Sequence, residues 1–216
     1  MRNGKLEDKE NFTVAIFGSA RIHKGSTIYQ EIYNLAKMIS EAGMDVVTGG
    51  GPGLMNAASE GHRAGRGEKM VKSIGLRIYL PFEEKEASHL DIKKEFSRFS
   101  SRLDSFMSYA NVVVVAPGGI GTLLEFAYTW QLLQVKHISD VPVIMLGEMW
   151  FDFVKWIKKW PLKHGMLDTK DVELLFFAKD IHEAFSMIKR AHELYVKENV
   201  ISMPKLHEMQ GNEQSS

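Results

Sequence analysis

A chain of 216 residues with 44% hydrophobic content can bury one sizeable core, which excludes the disordered and fibrous classes. Its 27 basic and 27 acidic residues cancel, so no global field favours nucleic acid or an anionic membrane surface, and any anion specificity has to be local. The absence of cysteine removes disulfides, thiolate zinc sites and cysteine nucleophiles, and the eight histidines show no paired-ligand spacing, so no metal site is expected.

Residues 1–11 (MRNGKLEDKEN) are polar, lack the apolar core of a signal peptide, and are expected to be a flexible segment. No apolar run approaches the roughly 20 residues that span a bilayer. A cytoplasmic protein without membrane or nucleic-acid partners is the expectation.

Residues 12–17 (FTVAIF) predict a first strand running into Gly18-Ser19-Ala20-Arg21, and residues 27–42 show helical periodicity that Gly43 ends. Val46 and Val47 predict a second strand, closed by Thr48-Gly49-Gly50-Gly51-Pro52-Gly53, with a helix over 54–64. Residues 72–80 have strand character and stop at Pro81; the charged segment 82–94 has no clear period and is expected to be an exposed loop across the mouth of the protein. A helix over 96–109 follows, with Phe99, Leu103 and Phe106 on its inner side.

Val112 to Val115 form a β-branched run that fits a strand buried on both faces, broken by Pro117-Gly118-Gly119-Ile120-Gly121-Thr122. Helical spacing resumes at Leu123, Thr122 is placed to cap the first turn, and Glu125 lies just inside the helix. Strand, glycine turn and helix N-terminus together make an anion cradle, because unsatisfied amides and the helix dipole face outward there. Residues 141–146 predict another buried strand, 151–160 an aromatic-rich helix that serves as core or subunit interface, 174–178 a last short strand, and 181–198 a closing helix. Residues 203–216 are expected to be a disordered tail. His62, His137 and His164 are read as surface or helix-end residues.

Strands alternating with helices at short spacing predict an α/β fold: one Rossmann-like domain over residues 12–202, with a parallel sheet, helices on both faces, and ligands beyond the carboxyl ends of the strands. All three glycine turns fall at such ends.

The motif PGGIGTLLE at 117–125 resembles the PGGxGTxxE signature of the Lonely Guy family of nucleoside 5'-monophosphate phosphoribohydrolases, many of which are labelled "lysine decarboxylase". The likeness extends to IFGSAR at 16–21, VVTGGGPGLMNAA at 46–58, SIGLRIYLPFE at 73–83 and SRLDSFMSYANVVVVAPGGIGT at 101–122. The resemblance implies a cytoplasmic homodimer that needs no cofactor, releasing the base from AMP or a cytokinin riboside 5'-monophosphate. It implies Arg102 and Glu125 as the catalytic pair, Gly118, Gly119, Gly121 and Thr122 as the phosphate-binding turn, and Ser19, Gly49, Gly50 and Gly51 as pocket lining. The family's lysine after the arginine is Leu103 here, the position before the signature glutamate is Leu124, and a threonine of the following helix is replaced by Gln131, with Thr129 nearby. These departures motivate an alternative expectation, a nucleotide- or phospho-cofactor-binding carrier of the same fold without turnover.

The chemistry suits these residue types. Glycosidic cleavage passes through an oxocarbenium-like state that a carboxylate such as Glu125 stabilises or relieves by activating water. A guanidinium such as that of Arg102 can hold a phosphate bidentately or assist departure of the base; Arg98, four residues earlier, could share its face. Decarboxylation of lysine would require pyridoxal phosphate on a lysine beside a cofactor motif, and the chain presents none.

Overall fold

The structure, a computed structural model, describes residues 11–79, 87–199 and 201–207. Its elements are β1 (Thr13–Phe17), α1 (Thr27–Glu41), β2 (Asp45–Thr48), α2 (Leu54–Gly65), β3 (Ser73–Ile78), β4 (Ile92–Phe96), α3 (Phe99–Tyr109) and β5 (Val112–Val115). They continue with α4 (Ile120–Gln134), β6 (Val143–Leu146), α5 (Glu148–Ile157), α6 (Thr169–Val172), β7 (Leu175–Ala178) and α7 (Ile181–Glu198).

The strands are all parallel and pair in the order β4-β3-β2-β1-β5-β6-β7. This is the expected α/β Rossmann-like sheet. The chain runs outward from β1 through β4, returns to lay β5 against the free side of β1 with Val14 beside Val112, and continues to β7. The direction of winding reverses between β1 and β5, which is where an open parallel sheet leaves a crevice beyond its carboxyl ends.

The strand period of two sorts the core into two layers. Val14, Ile16, Val46, Val112, Val114, Ile144 and Phe176 pack against α1, α2 and α7. Ala15, Phe17, Val47, Ile74, Val113, Val115 and Met145 pack on the other face with Phe106, Phe126 and Trp150 of α3, α4 and α5. The four valines of β5 are wholly buried, as a strand covered on both faces requires. Each such side chain contributes about 1.5–3 kcal/mol relative to exposure.

Local signals set the helix ends. Ser26 caps α1 through its side chain, which accepts from the Tyr29 amide at 3.2 Å, and Gly43, at φ +81, takes the left-handed conformation that stops it. Asp180 caps α7 by accepting from the amides of His182 and Glu183.

Several expectations need correction. The charged stretch is not loop throughout: Ile92–Phe96 forms edge strand β4, its residues alternating between half-buried and exposed, while 82–86 lie outside the described residues. An edge strand keeps one ladder face open, so charges such as Lys93 and Glu95 are tolerated and mask the strand signal. Residues 203–207 form a helical turn rather than disordered tail, with Met203 and Leu206 buried in the first core layer and His207 stacked on Phe176 at 4.3 Å. Residues 1–10 and 208–216 lie outside the described residues.

His62 is a core residue, wholly buried, with Nε2 3.0 Å from the Met44 carbonyl oxygen, and burial pushes its imidazole down to about 4. The aromatic helix begins three residues earlier than expected, at Glu148, and ends in a π-helical turn, Lys158–Leu162, that accommodates Pro161. Trp150 is core, whereas Trp156 and Trp160 are about half exposed.

Candidate functional site

Three glycine turns, following β1, β2 and β5, meet at the carboxyl ends of the central strands. Backbone hydrogen bonds join them: the Ser19 amide donates to the Pro117 carbonyl at 3.1 Å, and the Leu54 amide donates to the Ser19 carbonyl at 2.9 Å. Around this junction lies a cavity of about 580 Å³. Its lining includes Ser19, Gly49, Gly51, Gly119, Gly121 and Thr122, together with Arg102 and Glu125. A second cavity of about 450 Å³ opens at the amino end of β5 and β6, among Asn111, Asp140 and Tyr195.

Arg102 projects from the second half-turn of α3. Its Nε donates to the Leu76 carbonyl of β3 at 2.7 Å, its guanidinium carbon lies 5.2 Å from the Phe106 ring centre, and Nη1 stands 3.1 Å from Glu125 Oε1. Both residues of this pair are only 8% exposed, so the charges interact with little screening. The pair opposes two effects at the carboxyl group. Burial, the larger, raises its affinity for a proton, and the Arg102 guanidinium lowers it; Glu125 is left pushed up from the usual 4.5 to about 7. A carboxyl poised near neutrality on a cavity wall is the arrangement general acid–base chemistry requires.

The helix that carries Glu125 begins at Ile120, with Gly119 as its N-cap and no capping side chain. Thr122 therefore does not cap the helix as the sequence suggested. It is buried in the first turn, over Gly118, where an added Cβ would collide with it. At Gly119 and Gly121 the situation is the opposite. Neither has a positive φ, and a Cβ at either would meet no protein atom within 4 Å. The turn itself does not demand glycine at these two positions; close approach of a ligand to the backbone would. Gly121→Ala is accordingly expected to leave the melting temperature within about 2 °C of wild type, while nucleotide affinity, measured by titration calorimetry, falls at least about tenfold.

The remaining positions divide clearly. Gly50, at φ +67, and Gly118 shape their turns without lining the cavity, and Gly49 leaves room for the Arg102 guanidinium. Arg98 is exposed at the N-cap of α3 and is not brought to the pair. Leu103 is buried away from the cavity, whereas Leu124 lines it. Thr129 is buried and bonds back to the Glu125 carbonyl at 2.9 Å, and Gln131 pairs with Gln134 on the outer surface. Arg21, Met55 and Arg77 also line the cavity, although the sequence reading gave them no site role, as does Phe99, which was expected on the inner side of a helix over 96–109 but stands at the start of α3, 48% exposed, while Phe96 ends β4. Arg77 lies one residue before the carboxyl end of β3, a position that in a parallel sheet lies near ligands, and that was the available signal.

Among the described residues no group of three histidine or acidic side chains is placed to hold a metal ion, and no helix is long and apolar enough to cross a membrane.

A family model described as possible lysine decarboxylase matches residues 55–188. No curated protein matches by sequence. Among solved structures, the molybdenum cofactor binding protein of Rippkaea orientalis is similar at TM-score 0.63 and 20% identity, covering 84% of this chain and 97% of that one. The molybdenum cofactor carrier protein of Chlamydomonas reinhardtii gives TM-score 0.60 and 21% identity, covering 84% and 98%. DNA processing protein A of Helicobacter pylori gives 0.50 and 16%, covering 83% and 81%. At these identities the likeness is one of fold.

Proposed function

The chain belongs to the Lonely Guy family, whose model carries the description possible lysine decarboxylase, and from that premise we propose that it hydrolyses the N-glycosidic bond of a nucleoside 5'-monophosphate. The products are the free base and ribose 5-phosphate. AMP and cytokinin riboside 5'-monophosphates are the substrates that the family resemblance puts first. The observation that carries the reading is the buried Arg102–Glu125 pair on the cavity wall, with its carboxyl group held near neutrality.

The residues divide the work as follows. The amides of Gly119, Gly121 and Thr122, at the uncapped positive end of α4, receive the 5'-phosphate. This sets the anomeric carbon near Glu125. As the C1'–N bond breaks, its electron pair leaves with the base and positive charge develops on the ribose. The Glu125 carboxylate stabilises that charge and takes a proton from the water whose oxygen bonds to C1'. The departing base is neutralised by proton transfer from solvent or from the carboxylic acid so formed. Arg102 holds the carboxylate in place and favours its ionised form.

Because the active form is the carboxylate, its fraction grows as pH rises through about 7. Activity, read as kcat/KM, is expected to rise about tenfold per pH unit below that value and to level off above it. A rate that falls across the same range would assign Glu125 the opposite role, that of an acid. The decisive assay incubates the purified protein with AMP and cytokinin nucleotides and measures released base; saturable binding without release would overturn hydrolysis.

A second reading is a carrier of a nucleotide or phosphorylated cofactor. Leu124, an apolar side chain in the cavity wall where relatives are commonly acidic, favours it, as does the fold shared with molybdenum cofactor carriers. Decarboxylation of lysine fits less well, since the described lining of the cavity includes no lysine to hold pyridoxal phosphate. A cytoplasmic homodimer belongs to the same proposal; the half-exposed Trp156 and Trp160 supply apolar surface for association.

A further inference from the structure

We infer that the cavity at the amino end of β5 and β6 is a second ligand site, one that takes an uncharged nucleobase and refuses a nucleotide. Asn111 stands just before β5 and Pro117 just after it, so the two cavities open at opposite ends of one strand, about 20 Å apart. A small ligand in one does not reach the other. The volume of about 450 Å³ falls in the usual range of small-molecule sites.

Asn111 lines this cavity and is only 8% exposed. Two bonds fix it to β1: its backbone amide donates to the Thr13 carbonyl at 2.8 Å, and its Oδ1 accepts from the Thr13 amide at 3.0 Å. The second bond sets the orientation of the side-chain amide, because a backbone N–H needs an acceptor. Nδ2 is then left with two protons to donate and no partner among the described residues. Nor is it one of the polar atoms sealed in the interior without a partner, so the surface it keeps opens on the cavity. A rigid donor left unmet in a buried wall is satisfied by an acceptor on a ligand.

The rest of the lining sets the chemical class. Asp140 is its one charged side chain among the described residues; it is exposed, and no hydrogen bond or ion pair from its carboxylate to another described residue offsets its charge. Such a carboxylate repels a phosphate and accepts from an N–H group. Met107, Ile138 and Val141 supply apolar wall, and Tyr195 an aromatic ring. Apolar walls suit the faces of a planar ring, and a few polar groups fix its edges. A nucleobase carries a ring-nitrogen or carbonyl acceptor for Asn111 and an N–H donor for Asp140, whereas a nucleotide adds the charge that Asp140 opposes. The base released in the proposed hydrolysis belongs to this class, but the site follows from these groups without it.

The test titrates adenine into the full chain labelled with carbon-13 at the methionine methyl groups. Met107 reports the new site and Met55 the catalytic cavity, each signal identified by its loss in the leucine variant. Adenine is expected to move the Met107 signal saturably, with a dissociation constant below about 1 mM, and inorganic phosphate to leave it in place. Asn111→Asp keeps an oxygen for the Thr13 amide but exchanges the donor for an acceptor, and is expected to weaken adenine binding at Met107 at least about tenfold. Asp140→Ala, at an exposed position, is expected to weaken it about three- to tenfold. No saturable shift at Met107 overturns the site, and a shift with phosphate, or wild-type affinity in either variant, overturns the ligand class. If Asn111→Asp does not fold, Asp140→Ala decides by the same criterion. Base release plays no part in the readout, so failure of the hydrolytic reading and failure of this site are told apart.

Discussion

Glu125→Gln is expected to lower base release from a nucleoside 5'-monophosphate by on the order of a thousandfold while leaving nucleotide affinity within about tenfold of wild type. The amide keeps the size of the carboxyl group and can still accept from Arg102, so the cavity wall survives. It cannot take a proton from water, nor does it carry the negative charge that an oxocarbenium-like state requires. The phosphate contacts proposed for Gly119 and Gly121 lie at the start of α4 and are untouched by the substitution. Single-turnover kinetics beside calorimetric titration separate the two effects. Turnover that persists in the glutamine variant removes Glu125 from the chemistry; affinity that collapses with it makes the residue part of the binding surface.

Arg102→Met gives the second large effect, and its size depends on pH. Removing the guanidinium leaves Glu125 with burial unopposed, so its carboxyl rises further above the value of about 7 it has beside arginine. A carboxyl whose folded-state value is raised contributes stability fully below the unfolded value, near 4.5, and loses it as pH climbs through the folded value. The variant is therefore nearly native at pH 5, where its carboxyl is protonated. The remaining cost there, about 1–2 kcal/mol, is the Leu76 carbonyl left without the Arg102 donor. At pH 9 the carboxylate is buried without a partner and the loss grows to about 3–5 kcal/mol, or a fall in melting temperature of roughly 6–20 °C. Thermal melts of both proteins at the two pH values check this. A gap that stays constant with pH would mean that the pair does not act as an electrostatic unit.

The fold was legible where local pattern and long-range packing agree. The β5 valines, the helical spacing of α1 and α7, and Gly43 at the end of α1 predict their elements correctly, because a strand covered on both faces and a helix with one apolar stripe leave distinct periods. β4 was hidden because an edge strand tolerates Lys93 and Glu95, and the helical turn at 203–207 because its two anchors, Met203 and Leu206, declare themselves only against the core they reach. His62 reads as a polar residue near a helix end, but α2 turns that position inward onto the Met44 carbonyl.

The sequence by itself determined the parallel α/β class, the three glycine turns at strand ends and, through the resemblance, Arg102 and Glu125 as partners. These rest on residues whose local constraints are strong: β-branched runs, glycines and a contiguous signature. Tertiary structure alone decided that the pair is in contact, that burial outweighs the arginine at the Glu125 carboxyl, and that Leu124 rather than Leu103 alters the cavity wall. The physical reason is that burial and charge proximity are properties of strand order. β5 lies beside β1 and β3 lies two strands beyond, and that order brings together residues separated by as much as half the chain.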